Sequence, residues 1–335
     1  HFRYVKISAM KVAIIGLGAI SPLHIEAVKS LGGKIVAICD VDKTKVTRAN
    51  EEYSLGANEY TNYVEMLDNE SIDVVHICTP HYLHAPMAEE ALARDINVLT
   101  EKPLAINERQ LEELETAVGK SKARLGVCFQ TRYDDSKRKL KEIIRAEDVK
   151  AAYVNLVWVR DKAYYESAGW RGTKTEEGGG VLINQAIHSL DLMQWVCGMP
   201  ESVTARCFND SLKGVIEVED TVHAVYDLGK NRNVIFNATN ASKTCFPNVL
   251  TFVTKEKTAM LIGDELFVNG ERIAAGEDKP TRGKKEWGSS HERLISDFYD
   301  CIESGRKFGI DFYEGSKTVK ILLATYSSDG KEIKI

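Results

Sequence analysis

KVAIIGLGAISPLHIEAVKSL, residues 11–31, decides how the chain begins to fold. Its first five residues form a short run rich in β-branched side chains, suited to a strand buried on both faces, and the run stops at Gly16. Beyond it, Ile20, Leu23, Ala27, Val28 and Leu31 recur near helical spacing. A strand, a glycine turn and a helix form the context in which G-x-G-x-x-G binds a dinucleotide. Gly16 permits the tight turn and Gly18 lets the backbone approach a pyrophosphate. Ser21 takes the third glycine's place and is small enough for helix–strand packing, while Ala19 and Ile20 complete the loop. The helix start then offers unpaired N–H groups and a positive dipole end to phosphates.

The next strand, KIVAICD, ends in Asp40, roughly twenty residues past the turn, where a carboxylate accepts from both ribose hydroxyls. It would repel a 2′-phosphate, so NAD is favoured over NADP; Lys43, Lys45 and Arg48 can soften that preference. Helix-like KTKVTRANEEY, YVEMLDN and LHAPMAEEALAR then alternate with strands near Tyr60, in DVVHICTP and in NVLTEKP. This rhythm predicts right-handed βαβ units on a parallel sheet. After RLGVCFQTRY the chain shifts to longer extended segments, from VKAAYVNLVWVR to NVLTFVTKEKTAMLIG, and closes with the helical ERLISDFYDCIESG and EGSKTVKILLATYSS. The expected fold is α/β, an N-terminal Rossmann doubly wound parallel sheet followed by a C-terminal α+β domain with a large, mainly antiparallel open sheet. The expected domains are residues 10–127 for the dinucleotide and 128–335 for substrate binding and oligomerisation.

Composition narrows the partners. With 44% hydrophobic and 28% charged residues, the chain is an ordinary globular sequence, and its net charge of -5 argues against a nucleic-acid partner. No apolar run approaches the roughly 18 residues that cross a membrane. The opening HFRYVKISAM lacks the apolar core of a secretory leader, and residues 1–9 are read as a short extension before Met10. Seven scattered cysteines without a CxxC pair suggest buried small hydrophobes in a reducing cytoplasm, with no metal site expected.

A second stretch carries chemistry: GGGVLINQAIHSLDL, residues 178–192. Asn184, His188 and Asp191 are spaced so that one helix would show all three on one face. An imidazole titrates near neutrality and can accept a proton, whereas an amide cannot ionise. The three glycines suggest close backbone approach to a ligand.

The ordered set GLGAIS..H, strand-end Asp40, CTPHYLH, TEKPLA, FQTRY, GWRG, the glycine run and WGSSHERLISDFYDCI resembles the Gfo/Idh/MocA oxidoreductases, the glucose–fructose oxidoreductase and inositol dehydrogenase group. The likeness runs from Met10 to the end. It implies that Lys102 of EKP touches both cofactor and substrate, that Glu101 lies near the nicotinamide ribose, and that Pro103 aims the lysine, often through a cis bond. It implies cofactor-side roles for Thr79, Pro80 and His84 and contacts at the nicotinamide end for Gln130, Trp170 and Arg171, while Trp287 matches a usual aromatic in the loop before the last helices. Many relatives carry aspartate and histidine four residues apart where this chain has Asn184 and His188. The departure argues against an Asp–His relay and leaves His188 as the proton acceptor, with Asn184 orienting ligand.

The expected activity is therefore NAD-dependent hydride removal from a secondary alcohol of a sugar, nucleotide-sugar or cyclitol. Two alternatives stand beside it: a relative that retains NAD and cleaves a glycosidic bond with no net redox change, and a non-catalytic NAD/sugar sensor. One open sheet face predicts a homodimer or homotetramer.

Overall fold

The computed structural model of the chain describes residues 10–276 and 290–335. It divides into two units, the first reaching Gln130 and the second beginning at Thr131.

The first unit holds a six-stranded sheet built from β1 (Lys11–Ile15), β2 (Lys34–Cys39), β3 (Asn58–Tyr60), β4 (Val74–Ile77), β5 (Asn97–Thr100) and β6 (Leu125–Val127). Every pairing is parallel and the order is β3-β2-β1-β4-β5-β6. β1 and β4 are almost wholly buried, as parallel strands covered on both faces require. Between them run α1 (Ser21–Ser30), α2 (Lys43–Glu52), α3 (Tyr63–Asn69), α4 (His84–Leu92) and α5 (Glu108–Lys120). Side-chain caps start three of these helices: Asp42 accepts from Thr44 N–H, Asn62 from Val64 N–H and Asn107 from Gln110 N–H. The strand order reverses between β1 and β4, so their carboxyl ends diverge and open a crevice.

The second unit contains α6 (Asp135–Ile143), β7 (Val149–Val157), α7 (Lys162–Glu166), α8 (Val181–Asn184) and α9 (Ile187–Cys197). There follow β8 (Ser202–Phe208), β9 (Thr221–Asp227), β10 (Asn233–Thr239), β11 (Val249–Thr254), β12 (Thr258–Ile262), β13 (Glu265–Val268) and β14 (Glu271–Ile273). With β15 (Glu332–Lys334) they form a nine-stranded sheet, β14-β13-β12-β11-β7-β10-β9-β8-β15. Its pairs are antiparallel except β7 with β10, which run parallel. Burial alternates along β9 and β10: Val222, Ala224, Tyr226, Val234, Phe236 and Ala238 face the core, where α8 and α9 pack. The opposite face leaves Tyr153 43%, Val225 48% and Ile235 39% exposed.

Two expectations need correction. Residues after 128 were assigned to the second domain throughout, yet residues 290–315 belong to the first unit. There α10 (Ser290–Ser304) packs on α1 and buries Leu294, Ile295, Phe298 and Tyr299 completely. A helix segregates with whatever surface covers its apolar stripe, whatever its place in the chain. The chain returns to the second unit at Ser316, within α11 (Phe312–Ser328). Nor do Asn184, His188 and Asp191 share one helix, since α8 ends at Asn184 and α9 starts at Ile187. Glu219 pins the first turn of α8, its carboxylate accepting from Gly180 N–H at 2.8 Å and Leu182 N–H at 3.0 Å. Gln185, in the break, is held by Asn240 at 3.0 Å.

Candidate active site

In the first unit, four strand ends gather the predicted residues on one edge of the sheet: residues 16–21 after β1, Asp40 after β2, Thr79 and Pro80 after β4, Glu101 and Lys102 after β5. Gly16 has φ +88°, and a Cβ there would lie 2.7 Å from the Cys78 carbonyl, so the chain itself demands glycine. A Cβ at Gly18 meets nothing within 4 Å. Gly18 and Ala19 are exposed and Ile20 is half-buried, an open cradle before α1, which starts without a side-chain cap. Ser21 turns its hydroxyl onto the Gly18 carbonyl at 2.9 Å. Asp40 is fixed by Leu17 N–H at 2.8 Å on one oxygen and Asp42 N–H at 3.0 Å on the other. Each oxygen keeps a further lone pair for a ribose hydroxyl. This open, N–H-lined cradle with a fixed carboxylate fits NAD.

Around Lys102 the backbone is tied down. The Lys102–Pro103 bond is cis, as the resemblance implied. His84, fully buried, sets Nδ1 2.7 Å from the Pro103 carbonyl and Nε2 2.8 Å from that of Thr79. Burial lowers its pKa although both carbonyls favour the charged ring. Both nitrogens thus engage backbone, so His84 joins the β4 and β5 loops instead of presenting a polar atom to the cofactor. Thr79 turns its hydroxyl to Met87 Sδ at 3.6 Å. Gln130 is buried at the end of the unit.

Glu101 is engaged by neighbouring imidazoles. It is buried in a cluster with His24 Nε2 3.1 Å and His291 Nε2 3.4 Å from its Oε1, while Lys102 N–H donates to Oε2 at 3.3 Å. His24 Nδ1 meets His76 Nδ1 at 2.9 Å, and His76 Nε2 meets the Tyr299 hydroxyl at 2.8 Å. One proton arrangement satisfies the row: Tyr299 donates to His76, neutral His76 to His24, and neutral His24 to ionised Glu101. The pKa directions agree with it. Burial opposes charge on Glu101, but the hydrogen bond from His24 and the nearby His291 imidazole prevail and hold it well below the carboxylate range. Burial lowers His24 and His76 and raises Tyr299. His24, Glu101 and His291 offer donor atoms within 4.8 Å of one another, a set that could receive a divalent cation, though the contacts among them already account for the spacing.

The second unit presents Asn184 and His188, both half-buried. Asn184 Nδ2 donates to Glu177 Oε1 and to the Tyr164 hydroxyl at 3.2 Å. Tyr164 is sandwiched by guanidinium groups, Arg171 4.3 Å and Arg160 4.5 Å from its ring centroid; Arg171 also lies 4.8 Å from the Trp170 ring and donates to the Tyr164 hydroxyl. Asp191 is fully buried in a two-pronged ion pair with Arg132, both contacts 2.7 Å, and accepts from Thr318 at 2.9 Å. It anchors α9. The glycine run serves the protein's own packing: a Cβ at Gly179 would lie 2.0 Å from the Tyr326 hydroxyl, and one at Gly180 1.8 Å from the Glu219 carbonyl.

Sequence reasoning missed His76, Tyr299, His291, Glu177 and Glu219 as site-supporting groups. His24 was visible only as the last letter of a motif. Trp287 lies outside the described residues. All seven cysteines are free thiols, with Cys39, Cys78 and Cys128 buried. No helix among the described residues is long and apolar enough to cross a membrane.

The chain matches two family descriptions in succession, "Oxidoreductase family, NAD-binding Rossmann fold" over residues 10–129 and "GFO/IDH/MocA C-terminal domain" over residues 138–260. It belongs to the Gfo/Idh/MocA oxidoreductase family, and its first unit is an NAD-binding Rossmann domain. Inositol 2-dehydrogenase of Salmonella typhimurium (strain LT2) is 27% identical over 192 residues, 56% of this chain and 54% of that protein. The match thus spans about half the length of that relative. Inositol 2-dehydrogenase of Corynebacterium glutamicum (strain R) is 22% identical over 311 residues, 89% of this chain and 87% of that one. Among solved structures, the WlbA dehydrogenase from Bordetella pertussis in complex with NADH and UDP-GlcNAcA superposes with TM-score 0.86 at 25% identity, over 98% of this chain and 99% of that chain. Levoglucosan dehydrogenase, in complex with NADH and levoglucosan, shares the fold at TM-score 0.85 and 19% identity, over 98% and 100% of the two chains.

Proposed function

We propose that the protein is an NAD-dependent dehydrogenase acting on a secondary alcohol of a sugar, nucleotide-sugar or cyclitol. The observation that carries this reading is the single sheet edge on which the open glycine loop, Asp40 and Lys102 all emerge from strand ends. A phosphate cradle, a ribose-binding carboxylate and an ammonium on one edge suit a dinucleotide beside a reacting hydroxyl. When bound, NAD supplies the hydride acceptor. Lys102 polarises the alcohol oxygen and lowers its pKa, and His188 takes the proton. Asn184 orients substrate through its amide, beside Tyr164 and Arg171. The relatives named above favour polyhydroxylated substrates.

The test is NADH formation, read by absorbance, across nucleotide-sugars, free sugars and inositols. His188→Ala is expected to lose turnover by about 10²-fold or more with NAD affinity kept. Loss of NAD binding in that variant would refute its substrate-side role. Release of an aglycone without NADH accumulation would replace the dehydrogenase reading with glycosidic cleavage.

The exposed sheet face carrying Tyr153, Val225 and Ile235 supports a homo-oligomer, and a monomer in light scattering at micromolar concentration would refute it. Free thiols throughout suit a reducing compartment such as the cytoplasm.

A further inference from the structure

Arg160 and Arg171 flank α7 along the chain of the second unit, and both are half-buried. Aromatic rings hold them. The Arg160 guanidinium lies 5.4 Å from the Trp158 ring centroid and 4.5 Å from that of Tyr164. Arg171 lies 4.3 Å from the Tyr164 centroid and 4.8 Å from that of Trp170. Stacking of this kind fixes the plane of a guanidinium and leaves its N–H edge for an acceptor. Acceptors are scarce here. A guanidinium has five N–H donors, and among the described residues one on each is used. Arg160 donates to the Val159 carbonyl at 2.9 Å and Arg171 to the Tyr164 hydroxyl. Neither forms an ion pair among the described residues, and the Nε of each is buried without an acceptor. In the same unit Arg132 shows the contrasting outcome, a two-pronged pair with Asp191.

The acids around this pair are engaged elsewhere. Asp161 accepts from Tyr164 N–H at 2.9 Å, and Glu166 pairs with Lys162 at 3.4 Å. Glu177 acts on the Arg171 charge from beyond ion-pair distance, its oxygens accepting from Gly172 N–H and the Asn184 amide. The Tyr164 hydroxyl adds a further donor. Arg171, Asn184 at 3.2 Å and Gln185 at 3.4 Å all donate to its oxygen, and its own proton has no acceptor among the described residues.

We propose that Arg160, Arg171 and the Tyr164 hydroxyl form an anion subsite, so that the alcohol this protein oxidises carries a carboxylate or phosphate group. The inference deepens the dehydrogenase reading and rests on it for the oxidation alone. Two half-buried guanidinium groups without a counter-ion cost free energy that an oxyanion offsets. Charge-assisted bonds from a planar fork are the strong kind, and they match carboxylate and phosphate oxygens equally. Through the Tyr164 hydroxyl the subsite joins Asn184, the residue assigned to orient substrate, which seats the acidic group on the same molecule. A neutral sugar or cyclitol leaves these donors unmet and is the weaker ligand.

The experiment is calorimetric titration of the full-length protein saturated with NADH, which fills the glycine-loop cradle and keeps the added anion out of it. The probes are glucuronate, glucose 1-phosphate, glucose and myo-inositol. At least one acidic probe is expected to bind about tenfold or more tightly than both neutral ones, and to weaken as salt rises from about 0.05 to 0.5 M. Preference for glucuronate assigns a carboxylate and preference for the phosphate assigns a phosphoryl group; either supports the subsite. Arg160→Gln and Arg171→Gln are each expected to weaken that acidic probe by about ten- to a hundredfold. Arg171→Lys falls between, since an ammonium keeps the charge and loses the fork. Neutral probes bound as tightly as both acids would overturn the proposal without any variant. So would acidic probes bound by both glutamine variants as by the wild type. NADH formation separates the two readings. Turnover of neutral alcohols with no preference for acids ends the subsite alone, and tight acid binding with no turnover of any alcohol ends the dehydrogenase reading alone.

Discussion

Two glycines of the same loop separate what the fold needs from what the ligand needs. At Gly16, alanine adopts φ +88°, which costs about 1–2 kcal/mol for a residue with a Cβ. Its methyl group also meets the carbonyl carbon and oxygen of Cys78 at 2.7 Å and Thr79 Cγ2 at 2.9 Å. Those atoms cannot retreat, because Cys78 N–H is bonded to the Ile15 carbonyl at 2.8 Å, and overpacking of this kind costs a further ~1–3 kcal/mol. Gly16→Ala is therefore expected to lose about 3 kcal/mol, a fall of roughly 6–12 °C in the melting temperature of its unit. At Gly18 the added methyl group touches nothing within 4 Å, and φ lies outside the left-handed region. Gly18→Ala is expected to keep or slightly raise stability, by about 0.4–1 kcal/mol through the unfolded chain. The same methyl group fills the cradle, and NAD affinity is expected to fall by about tenfold or more as contacts to the pyrophosphate are lost. Thermal melts and calorimetric NAD titration of the two variants make the assay. A stable Gly18→Ala protein that binds NAD like the wild type would refute the placement of the cofactor over this loop.

The buried row from Tyr299 to Glu101 makes stability depend on acid. His24 and His76 have folded pKa values below the ordinary 6.5, so as pH falls through 6.5 the unfolded chain takes up protons first and folding loses free energy. Glu101, held below the usual carboxylate range, adds a loss as pH falls further. Melting temperature should drop from pH 7 to pH 5, and a flat profile would contradict the neutral-histidine assignment. Tyr299→Phe leaves His76 Nε2 without its donor and should cost about 1–3 kcal/mol in denaturant titration. In the second unit, Arg132→Met strands the buried Asp191 carboxylate and should cost about 3–5 kcal/mol; a variant as stable as the wild type would show that the pair does not anchor α9.

What the sequence determined by itself was set by neighbours along the chain. Short apolar, β-branched runs announced the parallel strands, helix-like patterns announced α1 to α4, and Gly16 and Asp40 announced a dinucleotide site because turn geometry and strand-end position are local properties. Tertiary structure decided the rest. Glu101 bonds to His24 at a separation of 77 residues, and His76 to Tyr299 at 223, distances over which no periodicity speaks. The break between Asn184 and Ile187 comes from Glu219 and Asn240 seizing a segment whose pattern is helical throughout. The parallel pairing of β7 with β10 and the attachment of α10 to the first unit likewise depend on which apolar face covers which. A buried polar group has to find its partner wherever the fold brings one, and that choice is written in three dimensions.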